Sequence, residues 1–182
     1  MRVTPAHIPE ILIIEPTVFG DDRGYFLESF NQRDWKEQTG LQTVFVQDNH
    51  SRSIRGVLRG LHYQLPPSAQ AKLVRCTVGE IFDVAVDIRR HSKTFGQWYS
   101  CLLSARNKVQ LWIPEGFAHG FMVLSEEAEV QYKTTAYYDQ KADRSILWND
   151  PELKIDWPKH LSPVLSAKDE AGKRFNQADL FE

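Results

Sequence analysis

The residues best suited to chemistry cluster in two stretches. Gln47-Asp48-Asn49-His50-Ser51-Arg52-Ser53 is followed closely by Gly56-Val57-Leu58-Arg59-Gly60-Leu61-His62-Tyr63-Gln64, which sets an arginine and a histidine in an otherwise apolar β-run. Polar groups in such a setting cost free energy unless a partner or a ligand satisfies them. An arginine on the solvent face and a hydrogen-bonded core histidine would account for the pattern without any chemistry. Arg59 and His62 are three apart, so a regular strand would point them to opposite faces. A shared site therefore requires a bulge at Gly60, or a second chain that contributes one of the two.

A second group follows in Trp112-Ile113-Pro114-Glu115-Gly116-Phe117-Ala118-His119-Gly120-Phe121. Period-two alternation places Phe117, His119 and Phe121 on one face, expected to be the inner one. In Glu129 to Tyr138, Val130, Tyr132 and Thr134 form the apolar-leaning face. An inward Tyr132 is either a core tyrosine or a positioned acid, since its hydroxyl needs a partner. Lys72 shares a face with Val74 and Cys76 and so points inward, although most lysines only solvate a strand end. Asp169 has an ordinary explanation as well, because Ser166-Ala167-Lys168-Asp169 fits a helix capping box.

These side chains must be held by strands. Short alternating or apolar runs separated by Gly, Pro, Asn and Asp recur along the chain, the pattern of an all-β sandwich or barrel. The strands expected are Ile11 to Phe19, Gly24 to Phe30, Thr43 to Asn49, Gly56 to Gln64, Lys72 to Val78, Glu80 to Ile88, Trp98 to Leu103, Lys108 to Ile113, Ala118 to Leu124 and Glu129 to Tyr137. Lys72 to Ile88 reads as a hairpin turning at Val78-Gly79. Helical signals occur at Asn31 to Gly40 and from Ser166 toward Gly172. With no repeat or linker, residues 1–182 read as one domain with a loop-rich tail from about Asp139. So many short strands must close on themselves or cover their edges, as a jelly roll does.

The chain has 182 residues, 42% of them hydrophobic, with 22 Lys plus Arg against 24 Asp plus Glu and a net charge of −2. That suffices for a sizeable core and excludes disorder. A near-neutral balance argues against a nucleic-acid partner, whose phosphates call for a basic surface. Cys76 and Cys101, far apart and without metal-ligand spacing, read as buried thiols of a reducing compartment. The apolar run Ile11-Leu12-Ile13-Ile14 is too short to span a membrane, so a soluble cytoplasmic protein with no membrane association is expected.

Pro114-Glu115-Gly116-Phe117-Ala118-His119 resembles the second motif of the cupin superfamily, and Gly56 with His62 resembles the start of the first. Cupin metal sites use His-x-His followed by Glu, whereas this sequence reads His62-Tyr63-Gln64. Two histidines alone make a poor metal site. The finer resemblance is to the metal-free dTDP-4-dehydrorhamnose 3,5-epimerase family. It is carried by Phe19-Gly20-Asp21-Asp22-Arg23-Gly24, Phe26 to Phe30, Gln47 to Ser51, Gly56 to Gln64, Gln70-Ala71-Lys72-Leu73-Val74 and Ile113 to Phe121, all in order along the chain.

The resemblance implies a cupin-type jelly roll, a homodimer, no cofactor and no metal. Its substrate would be a dTDP-linked 4-keto sugar epimerised at C3 and C5. It further implies His62 as base, Asp169 as its orienting carboxylate, Tyr132 as acid on the other face of the sugar, and Lys72 at the developing oxyanion, with Tyr138 a second candidate for the acid. Arg59 would hold a phosphate, and Phe19, Arg23, Glu28, Gln47, Asp48, Asn49, His119, Tyr138, Asp143 and Lys168 would contact the nucleotide sugar, with a Glu the commoner occupant at position 143. Whether Arg23 and Glu28 serve their own chain's site or a neighbour's stays open. The alternatives are an epimerase acting at C3 or C5 only, a metal-dependent cupin oxygenase or isomerase, and a non-catalytic sugar-binding cupin. The second lacks its ligand set, and the joint presence of His62, Asp169, Tyr132 and Lys72 argues against the third.

Overall fold

The computed structural model describes residues 1–182. Its strands are β1 (Arg2–Pro5), β2 (Leu12–Glu15), β3 (Val18–Asp21), β4 (Gly24–Leu27), β5 (Gln47–Ile54), β6 (Leu58–Gln64), β7 (Lys72–Val78), β8 (Glu80–Asp87), β9 (Trp98–Ser104), β10 (Gln110–Ile113), β11 (Phe117–Val123), β12 (Glu127–Thr134) and β13 (Asp143–Ser145). Two helices, α1 (Gln32–Thr39) and α2 (Ala167–Glu170), complete the set with a 3-10 turn at Phe175–Gln177. A six-stranded sheet runs β1-β2-β10-β7-β12-β5, a five-stranded sheet runs β13-β6-β11-β8-β9, and β3-β4 forms a separate ribbon. The two large sheets face each other in a cupin-type jelly roll.

Alternation along the strands builds the space between the sheets. Val74, Cys76, Leu111, Ile113, Ala128 and Val130 from one sheet pack against Ile81, Ala85, Leu103, Phe117, Phe121 and Val123 from the other. The alternate residues of the five-stranded sheet, among them Leu58, Leu61, Val84, Val86 and Met122, are buried under the C-terminal tail through Ile146, Leu153, Trp157, Phe175 and Leu180. That double coverage explains why β11 is buried at every position. Trp35 of α1 covers the outside of the six-stranded sheet against Ile14, Leu73 and Trp112. Asn31 caps this helix by accepting from the Arg33 and Asp34 N–H groups, and Gly40 at φ 72° ends it, matching both expected boundaries.

Several expectations need correction. The run Ile11 to Phe19 is two strands rather than one, since Pro16 interrupts it between β2 and β3. Lys72 to Ile88 is not a hairpin. The chain does reverse at Gly79, but β7 pairs with β10 and β12 while β8 pairs with β11 and β9, so the two arms lie in different sheets. At Gly79 a Cβ would stand 2.0 Å from the Glu127 carbonyl, so only glycine fits this crossing. Strands β1 and β13 lie outside the expected set, and α2 ends at Glu170, short of Gly172. Cys76 is buried and Cys101 half-buried, both as free thiols.

The bulge that a shared Arg59–His62 site requires is present. In the β6–β11 ladder His62 faces His119, yet Arg59 faces Phe121, so β6 carries one residue more than its partner between them. The two backbones approach so closely that a Cβ on Gly60, at φ +137°, would lie 2.5 Å from the Gly120 Cα. Gly60→Ala is expected to destabilise the protein by about 3 kcal/mol or more, from overpacking combined with backbone strain. Chemical denaturation measures this, and a stability unchanged to within about 1 kcal/mol would contradict it.

Candidate active site

The extra residue in β6 turns Arg59, His62 and Gln64 toward the space between the sheets, while Leu58, Leu61 and Tyr63 pack outward. Gly60 sends its N–H to Asp169 Oδ1 at 3.0 Å instead of to a neighbouring strand. The same carboxylate oxygen lies 2.7 Å from His62 Nε2, a contact whose angle is not that of a linear hydrogen bond. Its other oxygen, Oδ2, accepts from the Ser166 hydroxyl at 2.6 Å and from the Ser166 N–H at 3.4 Å, the latter closing the capping box of α2. Asp169 therefore touches His62 with one oxygen and caps α2 with the other.

Burial holds the His62 imidazole below its ordinary range, and the Lys168 and Lys72 charges add to that, against the opposing contact with Asp169. For Asp169, burial would raise the carboxyl, but the contacts with His62, Ser166 and the Gly60 N–H outweigh it and hold the group well below the usual carboxylate range. The pair thus rests as a neutral imidazole beside a carboxylate, the state from which imidazole takes up a proton.

Tyr132 stands on the other wall. It projects inward from β12, between Val74 of β7 and Asn49 of β5 in the ladder, and packs at the edge of the core. Burial raises its phenol, with the Arg59 charge opposing. Lys72, at the head of β7, points the same way and is buried, which pushes its ammonium down to about 8 while Asp83 and Asp143 work against that shift. Its Nζ lies 5.9 Å from the centroid of the Tyr132 ring. The Arg59 side chain is steadied by Ser53, whose hydroxyl accepts from Nε at 3.0 Å.

His119, opposite His62 in the ladder, is buried with Nε2 2.9 Å from Asp83 Oδ2. Around the mouth, Gln47 bonds Asn49 and receives the Tyr138 N–H, while Asp143 pairs with Lys168 and accepts from the Tyr138 hydroxyl at 3.3 Å. The structure therefore brings His62, Asp169, Tyr132, Lys72, Arg59, His119, Gln47, Asn49, Asp143, Lys168 and Tyr138 to one end of the barrel interior. No group of three or more His, Cys, Asp or Glu side chains is arranged to hold a metal ion.

Four expected contacts lie elsewhere in the chain. Alternation puts Asp48 on the outer face of β5, where its exposed carboxylate pairs with Lys133 at 2.9 Å. Phe19 and Arg23 belong to the β3–β4 ribbon, with Glu28 just beyond it. Phe19 is 61% exposed, Arg23 pairs with Asp21, and Glu28 accepts from Asn31. Phe19 and Glu28 border a cavity of about 250 Å³ with Ile14, Trp35, Leu73 and Gln110, outside the six-stranded sheet. Sequence reasoning passed over Asp83 and gave Ser53, within the polar stretch from Gln47, no role of its own. Asp83 had a signal, since the alternation Ile81, Asp83, Ala85 places a carboxylate among inward apolar residues.

The family model described as dTDP-4-dehydrorhamnose 3,5-epimerase matches residues 5–177. The dTDP-4-dehydrorhamnose 3,5-epimerase of Pseudomonas aeruginosa is 62% identical over 181 residues, covering 100% of this chain and 99% of the relative. That of Shigella flexneri is 60% identical with the same coverage. Among solved structures, the dTDP-6-deoxy-D-glucose-3,5-epimerase of Legionella pneumophila in complex with dTDP-4-keto-L-rhamnose superposes with a TM-score of 0.94 at 52% identity, covering 98% of this chain and 94% of that one.

The electrostatics of the His62 pair can be checked directly. The Asp169 contact raises the His62 titration against the burial that lowers it, so Asp169→Ala is expected to move it further below its position in the wild type. Proton NMR titration of the imidazole ring reads this, and an upward shift in the variant would contradict the pairing.

Proposed function

The chain belongs to the dTDP-4-dehydrorhamnose 3,5-epimerase family, and from that premise we propose how its residues divide the work. It is an isomerase that converts dTDP-4-dehydro-6-deoxy-D-glucose to dTDP-4-dehydro-L-rhamnose by inverting C3 and C5, a step of dTDP-L-rhamnose biosynthesis. Both carbons are α to the C4 ketone, so a single enolate-stabilising site serves both centres. Water at neutral pH barely ionises such a carbon acid, and the site must stabilise the charge that appears on the ketone oxygen.

In our reading Lys72 supplies that stabilisation, where removal of a preorganised donor typically costs ~3 kcal/mol. His62 takes the proton, and Asp169 fixes its ring and steadies the imidazolium that forms. Inversion requires the new proton to arrive from the opposite face, so His62 cannot deliver it. The single observation that carries this reading is that His62 and Tyr132 project from opposing sheets into one interior, with buried Lys72 beside Tyr132 on its sheet. Tyr132 suits the acid role better than Tyr138, which is exposed at the mouth and bonded to Asp143. Arg59 and Lys168 offer cations to the diphosphate, and Gln47, Asn49, His119, Tyr138 and Asp143 line the nucleotide-sugar path.

Phe19, Arg23 and Glu28 then act from a second copy of the chain, since within one chain they lie outside the six-stranded sheet. The exposed aromatic residues Phe19, Tyr25 and Phe26 on their ribbon favour a homodimer in which it reaches the neighbour's mouth. We place the enzyme in the cytoplasm; no helix is long and apolar enough to cross a membrane.

In heavy water the enzyme is expected to exchange hydrogen at both C3 and C5 of the 4-keto sugar nucleotide. His62→Ala should lower exchange about 10²- to 10⁴-fold, the usual contribution of a general base. Tyr132→Phe should keep abstraction while impairing inversion, and equal loss of abstraction in both variants would contradict the division of roles. The profile of kcat/KM should be a bell. His62 must be neutral, so activity is lost as pH falls through a value below 6.5; Lys72 must be charged, so activity is lost as pH rises through about 8. A single-limbed profile would refute this pairing. Finally, mixing His62→Ala with Arg23→Ala protomers should restore activity that neither variant has alone, because one site of the mixed dimer is intact. No recovery would return Arg23 to its own chain's site.

A further inference from the structure

We propose that Gln64 is a positioning residue of this site: it holds the segment that follows β12 and so sets Tyr138 over the mouth, an inference whose kinetic consequence rests on the epimerase reading. Past Thr134 the chain leaves the sheet, and the N–H and C=O groups of Ala136, Tyr137 and Tyr138 make no hydrogen bond to another main-chain group. Packing does not hold them either, since Tyr137 and Tyr138 are 69% and 58% exposed. Main-chain polar groups released from a ladder need other partners, and here side chains provide them.

Gln64 provides the largest share. It is buried and lies on β6 two residues past His62, on the same face. Its Nε2 donates to the Tyr137 carbonyl at 3.1 Å and to the Ser68 carbonyl at 2.6 Å, while its Oε1 accepts from the Asp139 N–H at 2.8 Å. The amide thus grips the chain on both sides of Tyr138, which takes a group that offers donors and an acceptor together. Gln47 of β5 accepts from the Tyr138 N–H at 3.0 Å, and Gln70 donates to the Ala136 carbonyl at 2.8 Å. Three glutamines from separate stretches of the chain therefore converge on four consecutive residues. Gln64 alone of them belongs to β6, so it ties Tyr138 to the strand that carries His62. Both of its amide hydrogens are committed to the chain, which leaves it no donor for a substrate; it acts through Tyr138.

Gln64→Met keeps the length of the side chain and removes all three bonds. In this variant the Asp139 amide hydrogen, followed by NMR in heavy water, is expected to exchange about tenfold faster or more, while the amides of β6 and β12 keep their wild-type rates, as when a local contact opens and the fold does not. KM should rise and the affinity for dTDP should fall about tenfold, the scale of one or two lost hydrogen bonds, with kcat changed by less than about threefold. A purely structural loss would instead lower the active fraction, and so kcat, and leave KM in place. In a Tyr138→Ala background Gln64→Met should cost less than about twofold in dTDP affinity, because a residue that acts through another has little effect once that one is gone. Equal losses in the two backgrounds would overturn the proposal, as would a fall in kcat at constant KM or an Asp139 amide that exchanges at the wild-type rate. Should Gln64→Met not fold, Gln64→Asn, which keeps the amide but falls one methylene short of the segment, carries the same expectations. If the wild type bound no dTDP and epimerised nothing, the epimerase reading would fail, while amide exchange would still decide whether Gln64 holds the segment.

Discussion

Two glycines set the geometry on which the rest of the molecule depends. Where Gly60 passes Gly120, the main chains of β6 and β11 come closer than any side chain permits, and β6 takes up one residue more than its partner. In a sheet with a strict period of two, that extra residue changes which side chains look inward. Without it, Arg59 and His62 would point apart, one of them into the tail's apolar packing. The same irregularity turns the Gly60 N–H toward Asp169, so the distortion that orients the imidazole also supplies a donor to its carboxylate.

A barrel interior that holds Lys72, Asp83, His119 and the His62–Asp169 pair gives up apolar contact where a small domain most needs it. The structure offsets this by adding packing outside. The tail lays Trp157, Phe175 and Leu180 over the five-stranded sheet, and α1 presses Trp35 into an aromatic group with Phe30, Phe45 and Trp112 on the six-stranded one. At roughly 1.5–3 kcal/mol for each large side chain fully buried, these outer layers add apolar burial that the interior lacks. The inner core persists at the far end of the barrel, around Ile81, Leu103, Val123 and Val130. On β8 and β11 the polar side chains Asp83 and His119 are set among apolar neighbours of that core.

Much of this is legible in the sequence because its period is local. Alternation marks the inward face of β7, β11 and β12 and so places Lys72, His119 and Tyr132 correctly. The spacing of Arg59, Gly60 and His62 by itself calls for a bulge if the two polar side chains are to share a site. Strand partners are a different matter, since a strand reads the same whichever neighbour it has; β7 and β8 therefore resemble a hairpin although their edges belong to other strands. β1, only Arg2-Val3-Thr4-Pro5, is too short and polar to show a period. Asp48 is instructive, because the period that places Gln47 and Asn49 inward turns it outward. Asp83 is marked only by standing between the apolar Ile81 and Ala85, and which of the two faces of β8 is the inner one shows only once the facing sheet is known.

The carboxylate of Asp169 serves two structures at once, closing the first turn of α2 and holding His62, and it meets Gly60 across 109 positions of sequence. During synthesis the barrel strands emerge long before that acid does. A nascent chain could assemble both sheets and still have an imidazole with no partner, and the His62–Asp169 contact forms only when α2 folds back over the barrel. On the proposed division of roles, activity therefore reports on the completion of the fold.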